Sequence, residues 1–132
     1  MTFKRSIAVI MLIAVSILTV AATKADKRIL KSVENIMKRM KTPEKEMNKL
    51  ERTKLLKSTK FTGYAKKLAA DSKAMLRIKH PDKEFNEISK DLDAEMTKLL
   101  AAINKKDFKL IEKHWKESKN LCAECHDIYK DL

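Results

Sequence analysis

Glycine is almost missing from this sequence: Gly63 is the one example in 132 residues, and proline occurs twice, at Pro43 and Pro81. Turn and strand signals depend on such residues, so a β-rich fold and a glycine-rich phosphate loop are both excluded. Aromatic residues are scarce as well, at 5 %, with one tryptophan. The sequence offers no Ser/His/Asp set and no paired carboxylates that helical spacing would bring to one place, so the chain is not expected to be an enzyme. It has no internal repeat. What fills the sequence instead is Lys, Glu, Leu, Ala and Met, the strong helix formers.

The first 22 residues differ from the rest. Lys4 and Arg5 form a short positive start, Ile7 to Val20 is a run of apolar and small residues, and Val20-Ala21-Ala22 supplies the small residues a signal peptidase reads. That is the layout of a secretory signal peptide over residues 1–22, with cleavage between Ala21 and Ala25; an uncleaved anchor helix is the alternative, the run being at the lower limit for spanning a bilayer. Export places the remaining domain, residues 23–132, in the periplasm, with no stable membrane association after cleavage. Losing Lys4 and Arg5 lowers the formal charge from +12 to +10. A charge of that sign favours acidic partners or an anionic surface. Nucleic acid is not expected, because the protein is exported and acids are interspersed with the lysines, as on solvated helix faces.

Apolar residues recur at helical spacing in four segments. The first begins near Asp26 with Ile29, Leu30, Val33, Ile36, Met37 and Met40; at Thr42-Pro43-Glu44 it either breaks or continues kinked through Met47, Leu50, Leu55 and Leu56. The second runs from about Phe61 to Ile78, with Tyr64, Leu68, Ala69, Met75 and Leu76 inward. His80-Pro81-Asp82 interrupts it, since a residue before proline avoids the helical region. The third carries Phe85, Ile88, Leu92, Met96, Leu99, Leu100 and Ile103. After a turn at Asn104–Asp107, with Asp107 as N-cap, the last carries Phe108, Ile111, Trp115, Leu121 or Cys122, Cys125, and Ile128 or Tyr129. Short connections between long amphipathic helices imply an all-α, antiparallel up-down-up-down four-helix bundle.

The chain's two cysteines fall together in "LCAECHDIYK", Leu121 to Lys130. C-x-x-C-H is the attachment pattern of a c-type haem: the thiols of Cys122 and Cys125 add to the two vinyl groups, and His126 becomes the proximal iron ligand. Three rivals stand beside it. They are a dithiol oxidoreductase, which belongs near a helix start in a strand–helix–strand setting; a zinc site, which needs four ligands; and a plain disulfide.

"CAECHDIYK" at the end of the last helix of such a bundle resembles the cytochrome c′ family, including its low-spin relatives. The resemblance is firmest in "LLAAINKKDFKLIEKHWKESKNLCAECHDIYK", Leu99 to Lys130. It implies one haem c, held through two thioether bonds by Cys122 and Cys125, with His126 on the iron and Lys130, one turn on, as the base beside the haem. In the family the distal residue lies on the first helix, with apolar residues three and ten positions later. Met37, followed by Met40 and Met47, is similar to that pattern, and in low-spin relatives this residue is a ligating methionine. Met40, His80 or an open site are the alternatives; His114 is twelve residues before His126 on one helix, roughly 18 Å away, and is excluded.

Where several members carry Arg-Gln, this chain has Val33 and Glu34, which leaves Arg28, Lys31 or Lys38 to hold a haem propionate. The resemblance implies either a one-electron carrier that meets acidic redox partner proteins, or a five-coordinate haem protein that binds nitric oxide, with Met37 a distal hydrophobe. It also implies a homodimer through the first two helices, which the lysine-rich first half of this chain opposes.

Overall fold

The computed structural model describes the backbone of residues 2–129 and the side chains of residues 27–129. The leader expected over residues 1–22 and the base Lys130 therefore lie outside the described side chains. Four helices follow one another: α1 (Thr2–Arg52), α2 (Thr59–Leu76), α3 (Lys83–Asn104) and α4 (Phe108–Ile128). Their starts are fixed locally. Ser58 accepts a hydrogen bond from the Phe61 N–H, Asp82 from the Glu84 N–H and Asp107 from the Leu110 N–H, each satisfying a donor that the first turn leaves unpaired.

The ends of α1 and α3 are closed in the same way. Lys54 and Lys106 take the left-handed conformation, at φ 58° and 55°. The Leu55 N–H then reaches the Leu50 carbonyl and the Asp107 N–H reaches the Ala102 carbonyl, one residue further back than in an ordinary α-helical turn. Glycine usually occupies such a position. With one glycine in the chain, lysine does so here.

Pro43 lies inside α1 and does not end it. It removes one backbone donor and costs about 3 kcal/mol in a helix interior. The turns on either side are held by the core, through buried Met40 and Met47, and α1 runs on to Arg52.

The bundle core follows the predicted stripes: Val33, Ile36 and Met47 on α1, Phe61 and Leu68 on α2, Phe85 and Met96 on α3, Ile111 and Trp115 on α4. Four expected inward residues sit outside it, among them Leu55, exposed beyond the end of α1 at Arg52. Leu30 is one position off the α1 stripe and exposed, and Leu76, the last residue of α2, is exposed too. Phe108, the first residue of α4, turns its ring outward beneath the Lys57 ammonium, 5.2 Å from the ring centre.

Charged side chains tie neighbouring helices at their edges. Arg39 on α1 meets Asp71 on α2 at 2.9 Å. Glu95 on α3 takes Lys98 at 2.7 Å and His114 Nδ1, on α4, at 2.8 Å. Burial works to raise the Glu95 carboxyl; the hydrogen bonds from Lys98 and His114 outweigh it and hold it below its ordinary value of 4.5. A carboxyl lowered in the folded state contributes stability above its unfolded value, and that contribution is lost as pH falls through the folded value. Glu95→Gln is expected to cost about 1–2 kcal/mol at neutral pH, and to leave a stability profile flatter than the wild type below pH 4.5. Chemical unfolding across that range reads it, and parallel profiles would show that Glu95 is not a linked group.

Candidate functional site

Packing runs from α1 to α2, from α2 to α3 and from α3 to α4; among the described residues, α1 and α4 do not close on each other. The seam they leave holds a cavity of about 710 Å³. That lies within the range of roughly 300–1,000 Å³ typical of ligand and cofactor sites.

Cys122 and Cys125, three apart on α4, share one face of the helix, and His126 is one turn from Cys122. All three line the cavity. Met37 lines it from α1 and is half-buried, with Met40, buried, three residues on. Met75, Ile88 and Leu92 make an apolar floor from α2 and α3. Every residue of the predicted site whose side chain is described thus faces one cavity. The alternatives fare differently. Met40 is in the cavity wall, whereas His80 and His114 are not. The His80 ring accepts a hydrogen bond from the Asp82 N–H at 3.1 Å and stacks on Phe85 at 4.3 Å, while His114 is held by Glu95.

Two ties flank the cavity along α4. At one end Lys119 on α4 makes a short ion pair with Glu51 on α1, its ammonium 5.8 Å from the Trp115 ring centre. At the other, the Tyr129 hydroxyl donates to Asp82, the N-cap of α3, and the Tyr129 ring meets Phe85 edge-on at 5.4 Å. Burial, reinforced by that hydrogen bond, pushes the Tyr129 phenol well above its ordinary value. Tyr129 therefore stays protonated and keeps the end of α4 fastened to the α2–α3 corner. Composition alone does not mark this tie, although the position of Tyr129 three residues after the motif places it on the motif's face.

The thiols are set against free redox chemistry. Burial pushes Cys122 up to about 12, with the Glu44 carboxylate and Cys125 adding to the effect. Burial likewise raises Cys125, helped by Glu124. A disulfide-exchanging pair needs a lowered thiol pKa, usually at a helix N-terminus; these cysteines lie in the last two turns of α4, with raised values. A zinc site gains no support either, since among the described residues no three His, Cys, Asp or Glu side chains converge to hold a metal.

The mouth of the cavity is charged. Lys38, Lys41, Lys45 and Arg52 line it along α1, together with Glu34 and Glu44. Of the three bases open as propionate partners, Lys38 lines the cavity, and Arg28 and Lys31 do not. Lys41, Lys45 and Arg52 read in the sequence as part of a solvated face; their spacing after Met37, at steps of four, four and seven residues along one helix face, is the signal that finds them. An apolar floor, two thiols and an imidazole on one wall, a thioether opposite and a cationic mouth fit a flat, apolar macrocycle with anionic side groups.

Among the described residues no helix is long and apolar enough to cross a membrane. No curated protein and no solved structure matches the chain. The family model described as Cytochrome C' matches residues 22–130, nearly the whole chain and the whole of the site, and the protein belongs to the cytochrome c′ family.

Proposed function

We infer that this member of the family is a c-type haem cytochrome. We propose that this one is a periplasmic one-electron carrier with a single haem c. Cys122 and Cys125 would hold the group through two thioether bonds, and His126 and Met37 would bind its iron. Bound haem supplies a one-electron Fe(III)/Fe(II) couple. The observation that carries the reading is that Met37 and His126 line one cavity from opposite sides of the α1–α4 seam.

The remaining residues set the conditions of transfer. Met40, Met75, Ile88 and Leu92 keep water from the cavity floor. An apolar surround and a thioether ligand both favour the reduced, less charged iron and raise the potential. Lys38, Lys41 and Lys45 at the mouth attract an acidic redox partner, with association that weakens as salt rises. The same mouth receives the anionic side groups of the haem.

Absorption spectra of the ferric and dithionite-reduced protein test the sixth ligand. The expected reduced spectrum is sharp, split and unchanged by carbon monoxide. Met37→Ala is expected to turn it broad and high-spin and make it responsive to carbon monoxide. A wild-type spectrum already high-spin, sharpening with carbon monoxide, would remove Met37 as ligand and make the protein a five-coordinate binder of nitric oxide.

A further inference from the structure

Along most of the chain, acids and bases alternate; at one end of the bundle they do not. The α1–α2 loop and the α3–α4 loop lie together there, joined by the Lys57 ammonium over the Phe108 ring. These loops and the turns beside them present Lys54, Lys57, Lys60, Lys105, Lys106 and Lys109, all exposed. The acid among residues 53–60 and 104–109 is Asp107, whose carboxylate is occupied in capping α4. Glu51, just inside, is engaged by Lys119. Within this basic ground two large apolar side chains stand out: Leu55 is 49 % exposed and Phe108 is 37 % exposed.

We infer that this end of the bundle is a peripheral docking surface for an anionic phospholipid membrane. Leu55 and Phe108 enter the interfacial layer, and the lysines around them meet the headgroup phosphates. Amphipathic lysine stems suit this, burying their methylenes while the ammonium reaches outward. Apolar insertion inside a basic ring is the pattern of proteins that lie on an anionic membrane rather than cross it. Both loops are closed by backbone hydrogen bonds at Lys54 and Lys106, so the patch is presented in one shape.

An acidic protein would also satisfy the lysines, but the position favours lipid. Phe108 precedes Cys122 by fourteen residues on α4, about 21 Å along the helix axis at 1.5 Å per residue. The cavity mouth has its own bases for a redox partner. Docking by the loop end thus leaves that mouth free, and holds the bundle upright on the membrane. The inference rests on the surface alone and does not depend on which residue binds the iron.

Sedimentation of the processed, haem-loaded protein with vesicles tests it. Binding is expected to vesicles of mixed phosphatidylcholine and phosphatidylglycerol, to weaken as salt rises, and to be absent with phosphatidylcholine alone. The variant Lys54→Gln/Lys57→Gln/Lys106→Gln is expected to bind about 100-fold more weakly, the loss for three basic residues near an anionic surface. Leu55→Ser/Phe108→Ser is expected to weaken binding while keeping its salt dependence. Lys73→Gln/Lys90→Gln, exposed on α2 and α3 away from the loops and outside the cavity lining, serves as the control and is expected to bind like the wild type. The absorption spectrum of each variant, expected unchanged, shows that the fold and the haem site are intact. Failure to bind anionic vesicles at low salt would overturn the inference, as would equal binding by the triple lysine variant. Loss of binding in the Lys73→Gln/Lys90→Gln control alone would also overturn it, by placing the contact away from the loops. Salt-insensitive binding would do so too, since that is how a retained anchor helix behaves.

Discussion

Replacing Cys122 and Cys125 together with alanine is expected to yield a protein with no covalently attached haem and a much lower melting temperature. The two effects share one cause. Among the described residues α1 and α4 do not pack on each other and are tied by the Glu51–Lys119 pair; on the proposed reading the haem would fill the gap between them. A partly exposed ion pair of that kind is worth at most about 1 kcal/mol. The apolar floor of Met40, Met75, Ile88 and Leu92 would face water along the seam. The loss is expected on the order of 4 kcal/mol, the stabilisation a tightly held ligand supplies at roughly a thousand times its Kd. Circular dichroism melts of the two proteins measure it. A double variant that still carries haem through acid–acetone extraction would show that attachment lies elsewhere; one that melts with the wild type would show that the seam is held by helix packing alone.

Trp115→Ala carries the second large effect, about two turns before Cys122 on the same helix. Trp115 is fully buried and meets Phe61 of α2 edge-to-face, with ring centres 6.1 Å apart. Truncating a buried aromatic costs about 3–5 kcal/mol, through lost burial and the cavity left behind. That is a large part of the roughly 5–15 kcal/mol that holds a domain of this size folded. The Trp115 Nε1 has no hydrogen-bond partner, so the loss is one of packing. Trp115→Phe keeps an aromatic ring against Phe61 and removes the unsatisfied donor, and is expected to cost less than about 1.5 kcal/mol. Urea unfolding orders the three proteins. A Trp115→Phe loss equal to that of Trp115→Ala would mean that the indole nitrogen finds a partner the packing account omits.

Much of this was legible in the sequence because it rests on local chemistry. Asp107 caps α4 as its type and place before an apolar stripe suggest, and His80-Pro81-Asp82 separates α2 from α3 as a pre-proline residue requires. The stripes of α3 and α4 fall on the core because 3.6-residue spacing leaves them nowhere else to go. The grouping of Cys122, Cys125 and His126 on one helix face was likewise fixed by spacing.

The remainder depends on tertiary context. Pro43 reads as a breaker, yet the buried side chains on both sides of it keep α1 continuous, an effect of packing that no local rule contains. Phe108 has the hydropathy of a core residue, but at the first position of α4 it lies over a loop and not over a partner helix. Lys41, Lys45 and Arg52 look like any solvated bases; what distinguishes them is the gap between α1 and α4, and a gap between the first and last helices is invisible until both are placed. His114 shows the same limit. Its distance along the helix removes it from the iron, but its partner Glu95 lies on another helix and carries no mark in the sequence.

The central claim is that one haem is bonded to Cys122 and Cys125. The intact mass of the processed protein under denaturing conditions tests it most directly. A mass equal to the polypeptide plus one haem, surviving denaturation and organic extraction, is the predicted result. The mass of the bare polypeptide, with both thiols open to alkylation or joined to each other, would contradict it.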